Sequence, residues 1–208
     1  MVGAGSNMLE DKEMNYISID LETTGLNPNT CQILQFAAVF DSFSRPLEKA
    51  PILNLLLAAD NYSGEPYALA MHSDIFKILA QQKLGTTTLH GREVGVIKST
   101  DLVDKFICWI SKLGWPYGHR IVCTGKNFAT FDLRFLQQYG WNKVGMHHRV
   151  IDVGSFYLCQ TDIEPPSTKE CLGRAGLPET ITHDAVEDAL QVCQLIRRHF
   201  NEYTTTTG

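Results

Sequence analysis

Four carboxylates and one imidazole stand where their types and spacing suit metal-assisted hydrolysis. Asp20 and Glu22 lie two residues apart at the end of the stretch YISIDLET. Side chains alternate along a strand, so Tyr16, Ser18, Asp20 and Glu22 share one face, and Ile17, Ile19 and Leu21 share the other. Two like charges on neighbouring same-face positions repel. They are tolerated in solvent, or where a cation holds both. Asp132 stands three and four residues before Phe135 and Leu136 and seven before Tyr139. That puts it on the inward stripe of a helix, near an N-terminus whose dipole favours a carboxylate. Asp188 lies three after Ala185 and four before Val192, on the core side of a helix marked by Ala185, Ala189, Val192 and Ile196. A single inward aspartate is ordinarily a cap or a partner of arginine. Four inward carboxylates from three elements would be pushed to protonate in a neutral core. Hard divalent cations, Mg²⁺ or Mn²⁺, remove that conflict because they prefer oxygen ligands. His183, five residues before Asp188 at a loop-to-helix boundary, is a candidate general base.

These groups need elements to position them. A strand is expected over 15–22, a turn at GLNPNT, a second strand from Gln32 (QILQFAAVF) and a third over 52–58 after the connection Pro46 to Pro51. A helical pattern, EPYALAMHSDIFKILAQQ, begins after Pro66. A clearer helix spans 101–113, with Leu102, Val103, Phe106, Ile107, Ile110 and Leu113 at helical spacing and Asp101 as N-cap. RIVCTG (120–125) reads as a short strand, TFDLRFLQQYG (130–140) as a helix closed by Gly140, and HHRVIDVGSFYL as a short strand leading into a helix. Ser167 with Glu170, and Asp184 with Glu187, fit capping boxes; the second opens a last helix over 185–200. Antiparallel strands followed by alternating helices and strands imply an α/β domain over 14–200, with flexible ends at 1–13 and 201–208.

Composition bounds the function. The 208 residues, 44% hydrophobic and 20% charged, suit one globular domain with a full core. No window approaches the roughly 18 consecutive apolar residues of a membrane span. The first fifteen residues lack the basic and apolar regions of a secretory signal. Cys31, Cys108, Cys123, Cys159, Cys171 and Cys193 form no C-x-x-C pair, and several sit in apolar patterns, as reduced thiols of a cytoplasmic protein would. A net charge of −5 argues against broad nonspecific duplex binding, but not against a nucleic-acid enzyme. Two divalent cations would bring −5 to −1. Arg92 with Lys98, His119 with Arg120 and Lys126, and Arg197 with Arg198 would steer phosphates locally.

Three segments carry a family resemblance. DLETTGL (20–26), NFATFD (127–132) and HDAVEDA (183–189) resemble, in order and separation, the three motifs of the DEDDh, or DnaQ-like, 3′→5′ exonucleases, whose members include polymerase proofreading subunits, ribonuclease T and oligoribonuclease. The H-x-A-x-x-D form of the third motif matches His183 to the family's histidine. Asn127 stands five residues before Asp132, where four is commoner; oligoribonuclease-like members show the longer spacing. The resemblance implies a ribonuclease H-like fold with a mixed five-stranded sheet flanked by helices. It implies two divalent cations, Mg²⁺ or Mn²⁺: one on Asp20, Glu22 and Asp188, the other on Asp20 and Asp132. His183 would take a proton from water, and nucleoside 5′-monophosphates would leave the 3′ end of single-stranded or short DNA or RNA. Thr23, Gly25 and Leu26 would meet the terminal nucleotide, His72 a phosphate, and Phe128 a base. Homodimers and polymerase partners occur in the family. Two other readings fit the same residues: an endonuclease on this fold, and a catalytically silent nucleic-acid-binding module.

Overall fold

In the computed structural model, which describes residues 14–115, 118–180 and 182–206, the alternating stretch from Tyr16 forms β1 (Tyr16–Thr23) inside a seven-stranded mixed sheet. The apolar run of β2 (Ile33–Asp41) is buried throughout and pairs antiparallel with β1, placing Ala37 opposite Asp20 and Gln35 opposite Glu22. The register shifts between Glu22 and Thr23. Such an irregularity re-aims the chain at the strand end that carries the acidic pair. β3 (Ile52–Ala58) completes the expected antiparallel meander.

The segment after Pro66 is two helices rather than one. α1 (Pro66–Met71) and α2 (Ser73–Leu79) break at His72, whose φ of −97° and ψ of 31° leave the helical region. Next comes a hairpin that the sequence reading did not contain, β4 (Gly85–Leu89) and β5 (Arg92–Lys98), with β5 parallel to β3 at the sheet edge. This hairpin raises the strand count from the expected five to seven. α3 (Leu102–Lys112) follows, and Asp101 occupies its N-cap position without a side-chain capping bond. β6 (Cys123–Gly125) pairs parallel with β1, α4 (Asp132–Gln138) ends ahead of a left-handed Gly140, and the two-residue β7 (Ile151–Asp152) pairs parallel with β6. A 3₁₀ turn, not an α-helix, follows β7. α5 (Thr168–Arg174) opens on the expected Ser167–Glu170 capping box. α6 (Ala185–Thr206) runs six residues past its expected end. Of the flexible ends expected at 1–13 and 201–208, residues 1–13 and 207–208 lie outside the described residues, and 201–206 continue α6.

The two faces of β1 are divided between helix layers. Ile17, Ile19 and Leu21 join Phe36 and Phe40 of β2, Leu102, Phe106 and Ile110 of α3, and Phe135 and Leu136 of α4 in one core. Tyr16 packs on the other side with Cys171 and Leu172 of α5 and Ala189, Val192 and Ile196 of α6. Ala37 meets Ala185 and Val186. α6 therefore covers the face that bears Asp20 and Glu22, and its inward stripe brings Asp188 over them. Each fully buried Leu, Ile or Phe contributes roughly 1.5–3 kcal/mol, so these layers hold the acidic face in place. Among the described residues no helix is long and apolar enough to cross a membrane.

Candidate active site

Asp20 and Glu22 sit at the C-terminal end of β1, where the strand leaves the core. α6 begins directly above them, and its first turn carries Asp188. One carboxylate oxygen from each of Asp20, Glu22 and Asp188 lies within 4.8 Å of the others. Asp132 opens α4 on the opposite side of β1 and is buried. It stands outside that compact trio, yet it exerts the strongest charge effect on Asp20.

Burial is the main force on all four, and repulsion within the cluster adds to it at Asp20 and Glu22. Asp20 is held well above the ordinary carboxylate range by desolvation, then by Asp132, Asp188 and Glu22. Desolvation followed by Asp188, Asp184 and Asp132 pushes Glu22 up to about 8. Desolvation raises Asp132 to about 8, with the backbone amides of Asp132 and Leu21 pulling the other way. Asp188 rises to about 6, chiefly by desolvation, while the charge of His183 opposes the rise. His183 is thus close enough to act on Asp188. It is exposed and holds a left-handed φ of 50°. Among the described residues, no lysine or arginine forms an ion pair with any of the four. Asp188 Oδ1 is buried without a hydrogen-bond partner. An all-oxygen donor set, a cluster of uncompensated negative charge and an orphaned buried oxygen together fit a divalent cation.

No protein-family model matches the sequence, and no curated protein does either. Solved structures do. The nuclease domain of 3′hExo, a DEDDh family member bound to rAMP, aligns over 92% of this chain and 94% of its own, with a TM-score of 0.66 at 12% identity. E. coli exonuclease I aligns over 92% of this chain and 43% of its own at 15% identity. Its zinc-bound complex with single-stranded DNA gives a TM-score of 0.60, and its complex with a dT13 oligonucleotide gives 0.58. The fold is shared with these exonuclease domains. At such identities the likeness is one of fold alone, and the chemistry of this chain rests on its own residues.

Beyond the acidic cluster, the sequence-predicted contacts divide. Leu26 is 72% exposed at the rim, and its amide donates to Glu65 Oε1 at 3.0 Å. Thr23 is buried and donates to the Gly25 carbonyl at 2.8 Å. Gly25 has a φ of 154°, and a β-carbon there would stand 2.7 Å from Cys31 Sγ and 2.8 Å from the Glu65 side chain. Only glycine fits. Gly64 is tighter still, since a β-carbon would lie 2.2 Å from the Thr24 carbonyl oxygen. The neighbouring Glu65 amide donates to that same carbonyl at 2.7 Å.

Two substrate contacts need correcting. Phe128 is 1% exposed and packed in the core with Ile19 and Phe135, so it has no face to offer a base. His72 is 2% exposed, with Nε2 3.3 Å from Glu22 Oε2; it stands behind the carboxylate rather than open to a phosphate. Burial, then the charge of His183, holds its pKa below the ordinary imidazole range. Two of the basic groups expected to steer phosphates are already engaged: Arg92 with Glu187 and Arg197 with Asp41. Sequence reasoning missed Glu65 and His90. The only local signal for His90 was the His90–Gly91 dipeptide of a tight turn.

Proposed function

We propose that the chain is a metal-dependent 3′→5′ exonuclease that releases nucleoside 5′-monophosphates from single-stranded or short DNA or RNA. One observation carries this reading: carboxylate oxygens of Asp20, Glu22 and Asp188, from two elements, converge within 4.8 Å, and among the described residues no lysine or arginine pairs with them. In this proposal Asp20, Glu22 and Asp188 hold one divalent cation, and Asp20 with Asp132 a second. When bound, Mg²⁺ or Mn²⁺ would supply Lewis-acid activation of water and neutralise developing phosphate charge. The remaining work belongs to the chain. Exposed His183 accepts the proton of the attacking water. Buried His72 orients Glu22. The Thr23–Gly25 backbone bears the terminal sugar, and exposed Leu26 wedges against the last base. A paired end cannot enter such a site, so a frayed or single strand is the substrate. The rAMP and single-stranded DNA bound by the structural neighbours support this substrate class. All six cysteines are free, which supports a reducing compartment, the cytoplasm.

The test mixes protein with 5′-labelled oligonucleotide and Mg²⁺ or Mn²⁺. A ladder of products shortened from the 3′ end is expected. Internal cuts would instead mean an endonuclease, and retention without cutting a silent binding module. Matched DNA and RNA oligonucleotides of several lengths, digested side by side, give the preferred substrate.

A further inference from the structure

The hairpin turn reaches the first turn of α6. His90 has a φ of 49° and Gly91 a φ of 78°, a left-handed pair suited to a tight two-residue turn. From this turn His90 meets carboxylates on two other elements. Its Nδ1 lies 2.6 Å from Asp184 Oδ2, and its Nε2 contacts Asp74 of α2. Asp184 is 4% exposed. Its second oxygen, Oδ1, accepts the amides of Val186 at 2.9 Å and Glu187 at 3.2 Å. One oxygen thus caps α6 while the other is tied to the hairpin. The Asp184 carbonyl accepts the Asp188 amide at 3.0 Å. Arg92, two residues beyond His90, adds a second tether to Glu187.

His183 directly precedes Asp184 with its left-handed φ of 50°. A non-glycine residue persists there only where its surroundings over-determine the backbone. A cavity of about 380 Å³ lined by His90, Arg92, Thr182, Asp184 and Glu187 leaves room for this segment to shift once the tether is cut.

We propose that His90 is a positioning residue: through Asp184 it holds the backbone that aims His183 and, one turn on, Asp188. The inference deepens the exonuclease reading and rests on it. His90 touches neither the substrate nor the reacting atoms in this scheme.

The test uses His90→Gly, because glycine keeps the left-handed turn while deleting the bridge. Amide hydrogen exchange is compared with wild type, and kcat and KM are measured on the same oligonucleotide with Mn²⁺. Faster exchange confined to 182–188 is expected, with kcat lower by about 10–10²-fold and KM within about twofold. His90→Gly added to His183→Ala should cost less than the product of the two single losses, because part of the His90 effect runs through His183. His90→Asn, whose amide nitrogen takes the place of Nδ1, should restore part of the loss. Wild-type exchange at 182–188 overturns the proposal, and so does a double-variant loss that multiplies the two single losses. If wild type cuts no oligonucleotide, the exonuclease reading fails while the exchange data still decide the tether. If His90→Gly does not fold, Arg92→Ala, which cuts the second tether, is judged by the same exchange and rate criteria.

Discussion

Two sites where α6 crosses the central strands hold carboxylates and treat them in opposite ways. At the start of β1, the Tyr16 hydroxyl donates to Asp41 at 2.5 Å, and Arg197 of α6 donates to both Asp41 oxygens, at 2.6 and 3.0 Å. The same guanidinium donates to the carbonyls of Ser42 and Arg45. At the end of β1, Asp20 and Glu22 face Asp188 of the same helix, and among the described residues no lysine or arginine pairs with them. Arg197 and Asp188 are nine residues apart, about 13 Å along the helix axis. Where the chain supplies its own cation, the joint is closed and structural. Where it withholds one, the charge is left for something that binds.

Changes on this one helix should separate the two sites. The largest effect is expected from Asp188→Ala, which abolishes nucleotide release yet raises the melting temperature of metal-free protein at pH 8; retained activity would remove Asp188 from the site. Next, His183→Ala lowers kcat by about 10²–10⁴-fold, while calorimetry finds Mn²⁺ affinity largely kept. An unchanged rate would rule out His183 as the base. Arg197→Ala should act the other way round. Urea unfolding should show a loss of about 3–5 kcal/mol, because Asp41 is left buried without its cation, with activity per folded molecule maintained. A fall in activity without a fall in stability would erase the distinction between the sites.

The smallest effect is the response of stability to pH. Glu22 and Asp132 are raised to about 8, and Asp188 to about 6, from ordinary values of 4.5 and 3.8. Groups raised on folding contribute stability that is present below their unfolded values and lost as pH climbs through their folded ones. Metal-free protein should therefore lose at least about 4 °C of melting temperature between pH 5 and pH 8, and saturating Mn²⁺ should abolish the slope. A flat profile in a chelator would mean that the four charges are solvated after all.

The legible parts of the molecule were those with local causes. β1, β2, β3 and α3 announce themselves by period and length, and α5 by its capping box. Asp132 and Asp188 stand out in the sequence because charge on an apolar stripe is conspicuous in one dimension, Asp20 and Glu22 because like charges share one strand face, and His183 only by its place five residues before Asp188. The β4–β5 hairpin is not. Its first strand, Gly85–Leu89, is exposed except at Leu89, so its threonines show no apolar alternation. The break at His72 has no glycine or proline to mark it; the cause is tertiary, a histidine buried against Glu22. β6 and β7 are three and two residues long, too short for any period to register. Phe128 misleads because an aromatic between a strand and a helix looks the same inside or out. Glu65 and His90 act on residues 39 and 94 positions away, and no local pattern reports that.

Gly64, Glu65 and Pro66 each answer to a different constraint. A side chain at 64 would collide with the Thr24 carbonyl, the Glu65 carboxylate holds the Leu26 amide, and Pro66 starts α1. Together they spell a short word, Gly-Glu-Pro, whose glycine falls 42 positions after Glu22. In a chain that matches no family model, that word beside an Asp-x-Glu gives a way to find unrecognised kin in sequence collections by spelling rather than by overall likeness.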